Sequence, residues 1–350
     1  MEQVLKDFSN WGKQIKLAIQ NIEDESEGLD QYQELIFTVH QSKAKNNWFT
    51  KSSVVSALTA ISSFLDENKL KEWLSNYPDF KYAAEPKNIG IVMAGNIPAV
   101  GFHDLLCVLI TGNIAKIKCS SEDAVLIPAL LNLLYAVNPE WKQKVEVCKD
   151  RLTKFDAVIA TGSNNSARYF EYYFGKVPNI IRKSRTSLAI VTGQESEMDF
   201  KGLQSDIFTY FGLGCRNVNF LLVNKKVSIP DLIPNLIPEK EELSQHNKYL
   251  NNLDYNKSIM LLNRVDFYDG GPFLIQVSDQ LFSPISVINV KFYDEETEAI
   301  EFVNEHKADL QCVVGKLDVC TVGFGKTQTP SLMDYADDID TLNFLQNLNQ

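Results

Sequence analysis

Short apolar segments alternate with helical segments from residue 88 onward, and this alternation limits the possible folds more than any other feature. The segments NIGIVMA at 88–94, IAKIK at 114–118 and SLAIV at 187–191 are typical of strands buried in a parallel sheet. Between them, residues 102–110 and 123–136 show helical apolar spacing. Strands that alternate with helices form right-handed βαβ units. The sequence therefore predicts an α/β fold with doubly wound sheets. Further strands are expected at 155–160, 218–223, 258–262, 273–277, 286–292 and 310–314, and further helices at 164–174, 199–211 and 294–305.

The 350 residues are enough for two such domains. Before residue 88 the apolar residues, among them Phe8, Trp11 and Ile15, recur at helical spacing. We therefore predict a helical N-terminal segment at 1–87 and a dinucleotide-binding domain at 88–205, completed by 321–350. A catalytic domain is expected at 206–320.

Composition excludes several classes of function. The formal net charge of -11 argues against a nucleic-acid binder, because phosphate neutralisation needs a basic surface. No apolar run reaches 18 residues, so we expect no membrane insertion, and we expect a cytoplasmic protein. None of the six cysteines forms a C-x-x-C pair, and no histidine is spaced to complete a zinc site, so no metal is expected.

One cysteine stands out by its setting. Cys215 lies in FGLGCRN at 211–217, where Gly212 and Gly214 permit a tight turn between a predicted helix and a predicted strand. Such a turn exposes the thiol at the expected junction of two domains, a common place for a ligand cleft. Arg216 could favour the thiolate, the form that attacks. The alternative is a structural cysteine in a Gly-rich linker.

Three other segments follow predicted strands and suit ligand binding. Asn96, in AGNIPAVG at 94–101, could donate to a developing oxyanion. Lys118 with Ser120 and Ser121 suits a phosphate or ribose. Gly162 and Ser163 open a helix, where pyrophosphate commonly binds. Each segment has a simpler explanation, because Asn and Ser also cap turns and helices.

Two further segments are weaker candidates. GFGKT at 323–327 ends like a P-loop, but the glycine required five residues before Gly325 is replaced by Cys320, so we reject a phosphate-binding loop. Four aspartates at 334–340 could bind a metal, but a solvated acidic stretch is the commoner explanation.

The order and spacing of these motifs resemble the aldehyde dehydrogenase superfamily. Within it, the sequence is similar to the acyl-CoA reductases related to the fatty acid reductase of bacterial bioluminescence, the LuxC family. The resemblance covers about residues 88–345 and implies an aldehyde-dehydrogenase-like fold. The residues that carry it are AGNIPAVGF at 94–102, KIKCSSED at 116–123, ATGSNNSARYF at 160–170, FGLGCRNV at 211–218, LFSPISV at 281–287 and FGKTQTPSLMDYADDIDT at 324–341.

The resemblance implies a role for each motif. Cys215 is expected to be the nucleophile, and Asn96 and the backbone N–H of Cys215 the oxyanion hole. Lys118 is expected to contact the adenosine ribose, and Gly162 and Ser163 the pyrophosphate. Phe282 and Pro284 are expected near the nicotinamide.

The identity of the dinucleotide is expected to depend on Ser121. Relatives that prefer NAD carry a glutamate at the position of Ser121. A serine leaves room for a 2′-phosphate, so NADPH is the expected cofactor, although Glu122 follows directly.

One departure from the hydrolysing aldehyde dehydrogenases is informative. Their glutamate base lies in an E-L-G-G-type segment, whereas residues 179–185 here contain no carboxylate, and a second glutamate of theirs is matched by Gln280. Without a base to activate water, a thioester on Cys215 should hydrolyse poorly. The expected reaction is therefore NADPH-dependent reduction of an acyl thioester to an aldehyde.

The expected substrate is an acyl-CoA or an acyl carrier thioester. The resemblance also implies a homo-oligomer that works beside an acyl-activating ligase. An acyl-phosphate reductase and a non-catalytic nucleotide-binding subunit of a reductase complex stay open as alternatives.

Overall fold

The computed structural model describes residues 1–24, 30–239 and 241–348. The chain forms two compact units. The first contains residues 1–183 and 331–350, and the second contains residues 184–330.

Four helices form the N-terminal part of the first unit, as the helical spacing predicted. Their apolar stripes pack inward, and Phe8, Trp11 and Ile15 are fully buried. Asp66 caps the fourth helix by accepting hydrogen bonds from the N–H groups of Asn68 and Lys69. The helices are α1 (Glu2–Glu23), α2 (Asp30–Lys45), α3 (Lys51–Phe64) and α4 (Glu67–Ser75).

A five-stranded parallel sheet forms the rest of the first unit, in the order β3-β2-β1-β4-β5. Its strands are β1 (Asn88–Val92), β2 (Ile114–Lys118), β3 (Val145–Val147), β4 (Ala157–Thr161) and β5 (Asn179–Arg182). The connecting helices are α5 (Phe102–Ile110), α6 (Leu126–Val137) and α7 (Asn164–Phe174). The chain winds from β1 to β2 and β3, and then crosses to β4 on the other side of β1. In open α/β sheets, ligands bind beyond the carboxyl ends of the strands at such a reversal.

The second unit has a six-stranded sheet in the order β11-β6-β7-β10-β9-β8, and only the β8–β9 pair is antiparallel among its described strands. Val191, Leu221 and Val290 lie in the core that the sheet shares with its helices. The strands are β6 (Thr186–Val191), β7 (Val218–Asn224), β8 (Tyr268–Asp269), β9 (Leu274–Val277), β10 (Val287–Tyr293) and β11 (Leu310–Val314). The helices are α8 (Glu197–Phe208), α9 (Ile229–Leu236), α10 (Asn247–Leu262) and α11 (Glu296–Glu305).

The units divide at a different place from the predicted boundary at 205/206. Strand β6 pairs with β7 and β11 and not with the first sheet, so the second unit begins at Ser184. The chain returns to the first unit at Ser331 and not at residue 321, and it ends there with helix α12 (Thr341–Asn347). Both differences arise because strand pairing is decided by contacts distant in sequence.

The expectation of a strand at 258–262 is wrong, because these residues form the last turns of α10. Their apolar run SIMLL is too short to distinguish a strand from a helix by periodicity. The five-stranded sheet of the first unit contains two strands, β3 and β5, that were not predicted. Both are short edge strands with polar residues, and their pattern resembles a loop.

Candidate active site

A cavity of about 720 Å³ opens in the first unit beyond the carboxyl ends of β1, β2 and β4. All five cofactor-binding residues predicted in this unit line it. These residues are Lys118, Ser120, Ser121, Gly162 and Ser163. The parallel sheet therefore brings together two motifs that lie more than forty positions apart in the sequence, at the place where the strand order reverses.

Two lysines lie on the rim of this cavity. Lys118 ends β2, and its Nζ donates a hydrogen bond to the carbonyl oxygen of Lys149, 2.5 Å away. Lys149 itself lines the cavity and is exposed. It follows β3, the short strand that was not predicted, so its position beside Lys118 was missed. The rim can offer two positive charges to a phosphorylated ligand.

The serines of this cavity also cap the backbone. The Oγ of Ser120 accepts a hydrogen bond from the N–H of Glu122 at 3.2 Å, and the Oγ of Ser163 accepts one from the N–H of Ser166 at 3.3 Å. The capping explanation is therefore correct for both residues. The Ser120 hydroxyl can still donate its proton to a ligand, whereas the Ser163 hydroxyl also shares a hydrogen bond with the Ser166 hydroxyl at 3.1 Å. Ser121 is exposed on the same rim.

Gly162 is required by close packing. A Cβ at this position would lie 2.8 Å from the Cβ of Ser166 and 2.9 Å from the ring of Phe170. The glycine thus lets the chain turn tightly from β4 into α7 beside the cavity.

Asn96 is exposed in the loop that follows β1, and neighbouring segments hold this loop. Asn46, which follows α2, donates to the carbonyl oxygen of Gly95 at 3.4 Å. The buried carboxylate of Asp123 accepts a hydrogen bond from the N–H of Ala99 at 2.7 Å, where the backbone has a φ of 52°. Burial raises the pKa of Asp123 to about 6. Asp123 thereby links the rim of the cavity to the Asn96 loop.

In the second unit, Cys215 has an exposed thiol that follows a strained turn. After α8 ends, Tyr210 has a φ of 54° and Phe211 a φ of 58°, and Gly212 continues with a φ of 76°. Each left-handed residue other than glycine costs about 1–2 kcal/mol. Phe211 is buried against the ring of His246, with ring centroids 4.3 Å apart. A turn that stores strain and is held by packing is a frequent feature of functional sites.

Two fully buried polar side chains contact the Cys215 turn, and neither was predicted to do so. The Oδ1 of Asn217 accepts a hydrogen bond from the N–H of Gly214 at 2.8 Å. The Oγ of Ser187, in β6, donates to the carbonyl oxygen of Cys215 at 2.9 Å. Asn217 belongs to the FGLGCRN motif, but nothing in the sequence indicates that Ser187 contacts the Cys215 turn.

The guanidinium of Arg216 donates hydrogen bonds to two groups of the second unit. Its Nη1 lies 3.4 Å from the Sγ of Cys312 and 3.5 Å from the carbonyl oxygen of Thr327. These contacts connect Arg216 to β11 and to the segment after it. The structure thus gives this arginine a role in packing the turn.

Pro284 lines a small cavity of about 60 Å³ together with Gly212 of the Cys215 turn and the rings of Phe208, Phe211 and Tyr249. Phe282 is 44% exposed, and its carbonyl oxygen accepts a hydrogen bond from Asn289 at 3.3 Å. Pro284 therefore lies close to the Cys215 turn within the second unit.

Residues 179–182, where the hydrolysing relatives would carry their base, form the edge strand β5. Its last residue, Arg182, is buried and forms an ion pair with Asp104 of α5, with Nη1 and Oδ2 2.5 Å apart. The Nη2 of Arg182 also donates to the Oγ1 of Thr341 at 2.8 Å. The strand thus contacts one carboxylate, that of Asp104, but this carboxylate is already paired with Arg182.

The two weaker candidates have structural explanations. The N–H groups of Gly325 and Thr327 donate to the buried carboxylate of Asp206, so a side chain of the protein occupies the place that an anion would take. In the acidic stretch, Asp334 accepts from the N–H of Ser331 and Asp340 from that of Asn343, as capping residues do. Within residues 1–24, 30–239 and 241–348, no group of three His, Cys, Asp or Glu side chains is arranged to hold a metal ion.

The length and the apolarity of a helix decide whether it could cross a membrane. Among the described helices, none combines the length and the apolarity that crossing a bilayer requires.

Solved structures with the same fold include aldehyde dehydrogenases. An indole-3-acetaldehyde dehydrogenase from P. syringae, determined with NAD+, is 14% identical, with a TM-score of 0.62 over 91% of this chain and 73% of that one. The aldehyde dehydrogenase KauB from Pseudomonas aeruginosa is 12% identical, with a TM-score of 0.63 over 92% and 76%. Aldehyde dehydrogenase 21 from Physcomitrella patens is 10% identical, with a TM-score of 0.62 over 97% and 84%. These similarities confirm the predicted aldehyde-dehydrogenase-like α/β fold.

No curated protein matches the chain. The sequence model of the acyl-CoA reductase (LuxC) family, however, matches residues 14–247, which is more than half of the chain. This range includes the Asn96 loop, the cavity of the first unit and the Cys215 turn. The match supports oxidoreductase chemistry on acyl groups or aldehydes. The chain belongs to the acyl-CoA reductase (LuxC) family, and it has the fold of aldehyde dehydrogenases.

Proposed function

We propose that this protein reduces an acyl thioester to an aldehyde, with NADPH as the reductant and an acyl group carried on Cys215. One observation carries the proposal: in a chain of the acyl-CoA reductase family, an exposed thiol follows a strained turn that buried polar groups hold. A structural cysteine needs neither exposure nor strain.

The reaction has two chemical steps. The Cys215 thiolate attacks the acyl carbon, a new C–S bond forms, and the carrier departs as its thiolate. The bound cofactor supplies hydride to the acyl carbon; the bond to Cys215 then breaks, and the aldehyde leaves as the Cys215 thiolate is restored. Asn96 and the backbone N–H of Cys215 stabilise the oxyanion in both steps, because each step passes through a tetrahedral intermediate.

The cavity of the first unit fits a dinucleotide. Lys118 would contact the adenosine ribose, and Gly162 and Ser163 would contact the pyrophosphate at the start of α7, because all three residues line the cavity. NAD+ bound to the P. syringae neighbour supports a nicotinamide dinucleotide. The exposed hydroxyl of Ser121 and the cations of Lys118 and Lys149 favour a ribose that carries a 2′-phosphate.

We expect the acyl-enzyme to hydrolyse slowly, because residues 179–185, where the hydrolysing relatives carry their base, contain no carboxylate to activate water. In the hydrolysing relatives this general base lies at the position of β5, which here ends at Arg182. The carboxylate that contacts β5, that of Asp104, is buried in an ion pair with Arg182. Gln280 stands where the relatives carry a second glutamate. The acyl group therefore waits for hydride and leaves as an aldehyde.

Intact-mass measurement tests the nucleophile. The protein is mixed with acyl-CoAs of several chain lengths, without reductant, and we expect one acyl adduct on the wild type and none on Cys215→Ala. Cys148→Ala, which removes another partly exposed thiol, should still form the adduct. An adduct that persists on Cys215→Ala places the nucleophile elsewhere.

Parallel reactions with acyl phosphates and acyl carrier thioesters identify the donor. An adduct from acyl phosphate alone makes the protein an acyl-phosphate reductase. No adduct from any donor, with NADPH still bound, makes it a non-catalytic nucleotide-binding subunit.

A further inference from the structure

Ser187 interrupts the sheet of the second unit at one point. Its Oγ donates to the carbonyl oxygen of Cys215 at 2.9 Å and accepts a hydrogen bond from the N–H of Cys312 at 3.1 Å. The strand ladders shift register on both sides of it, because β11 skips Gln311 and β7 skips Asn219. Such irregularities redirect the chain and are frequent beside active sites. The hydroxyl of Ser187 thus connects β11 to the Cys215 turn across the strand that carries it.

Asn217 holds the other side of the turn. Its Oδ1 accepts from the N–H of Gly214 at 2.8 Å, and its Nδ2 donates to the carbonyl oxygens of Asp206 at 3.1 Å, Ile207 at 3.3 Å and Thr209 at 2.7 Å. The side chain is fully buried. It therefore bonds the carbonyl groups at the end of α8 and fixes the strained residues that follow.

These contacts flank one peptide group. Asn217 fixes the N–H of the peptide before it, and Ser187 fixes the carbonyl group of the peptide after it. The peptide between them joins Gly214 to Cys215, and it contains the backbone N–H assigned to the oxyanion hole. Both restraining side chains are buried, so water does not compete for their hydrogen bonds.

We propose that Ser187 and Asn217 are positioning residues that orient the backbone N–H of Cys215 toward the acyl oxygen. They act on the oxyanion and not on the nucleophilicity of the thiol. The inference rests on the proposed function in taking Cys215 as the nucleophile and its backbone N–H as an oxyanion donor, and on nothing about the natural acyl donor.

Two probes separate these effects. p-Nitrophenyl acetate acylates a thiolate through an oxyanion and releases p-nitrophenolate as the C–S bond forms. Iodoacetamide alkylates the same thiolate by displacing iodide, and no oxyanion develops. Both rates are measured at one pH on full-length protein by the mass of the Cys215 peptide, so the thiolate fraction cancels from their ratio. Neither probe requires that the natural donor be a thioester.

For Ser187→Ala we expect acetylation of Cys215 to slow about 10- to 100-fold while alkylation changes by less than about twofold, since loss of an oxyanion donor impairs only the first reaction. Ser187→Thr keeps the hydroxyl and should restore most of the acetylation rate. Asn217→Ala should show the same split; if it does not fold, as judged by circular dichroism, Ser187→Ala decides alone. Thr186→Val is the matched control, because it removes a buried hydroxyl from the residue before Ser187 in β6, which bonds Asn219 of β7, and it should leave the ratio of the two rates unchanged.

Equal slowing of both reactions would mean that Ser187 merely keeps the turn folded, and unchanged acetylation would mean that the N–H needs no such restraint. Either result overturns the inference. If the wild type reacts with p-nitrophenyl acetate but with no acyl-CoA, the proposed substrate fails while the restraint of the turn is still tested.

Discussion

Removal of the Asp104 carboxylate should destabilise the first unit strongly. Asp104 and Arg182 form an ion pair in which their side chains are 9% and 3% exposed. Asp104→Ala leaves the guanidinium buried without its counter-charge, and breaking such a pair costs about 3–5 kcal/mol. At about 2–4 °C per kcal/mol for a unit of this size, Tm should fall by about 6–20 °C.

Urea unfolding and thermal melts followed by circular dichroism measure this loss. Glu67→Ala is the control, because it removes the carboxylate of the exposed Lys71–Glu67 pair and should leave Tm almost unchanged. The double variant Asp104→Leu, Arg182→Met should recover much of the stability, since apolar side chains can replace a buried pair. If Asp104→Ala loses no more than Glu67→Ala does, Arg182 does not depend on this ion pair, and the explanation for the missing base loses its support.

Three further predictions concern the proposed activity and the buried carboxylate near it. Without NADPH, the acyl-enzyme on Cys215 should outlast a turnover and react with added thiol, whereas rapid release of free fatty acid would reveal a hidden base. Ser121→Glu should lower kcat/KM for NADPH about tenfold or more and change that for NADH much less, because like charges then meet near the ribose; equal losses would remove Ser121 from the phosphate site. Burial raises the pKa of Asp123 from 3.8 to about 6, so its ionised form is disfavoured in the folded protein. As pH rises from about 3 to 7, the wild type should lose about 3 kcal/mol relative to Asp123→Asn, with little further change above about pH 7; a difference that does not vary with pH in urea unfolding would contradict this.

The central strands and their helices follow from local patterns. The segments of β1, β2, β6, β7 and β11 are rich in apolar residues and largely buried, as strands covered on both faces require. The helices α5 and α7 were predicted with the bounds that the structure has. Periodicity fails where the run is short: SIMLL at 258–262 belongs to a helix, and the edge strands β3 and β5 carry no clear signal.

The cofactor cavity was partly predictable. Lys118, Ser121 and Gly162 each follow a predicted strand, and the carboxyl ends of parallel strands meet at one edge of a sheet. Lys149 was missed because its strand was missed. His103 of α5 packs against Phe64, Trp73 and Tyr335 within the first unit, and its Nε2 lies 3.1 Å from the carbonyl oxygen of Leu332.

By itself, the sequence determined the fold class, because alternating strand and helix patterns are local. The motifs that resemble the LuxC family indicated the family and the candidate nucleophile. Only the tertiary structure decided that β6 belongs to the second sheet and that Ser187 contacts Cys215, which lies 28 positions later. It also decided that Asp104 pairs with Arg182 across 78 positions. Such contacts depend on which strands pair and which side chains are buried together, and a local pattern does not record the partner that the folded chain brings to it.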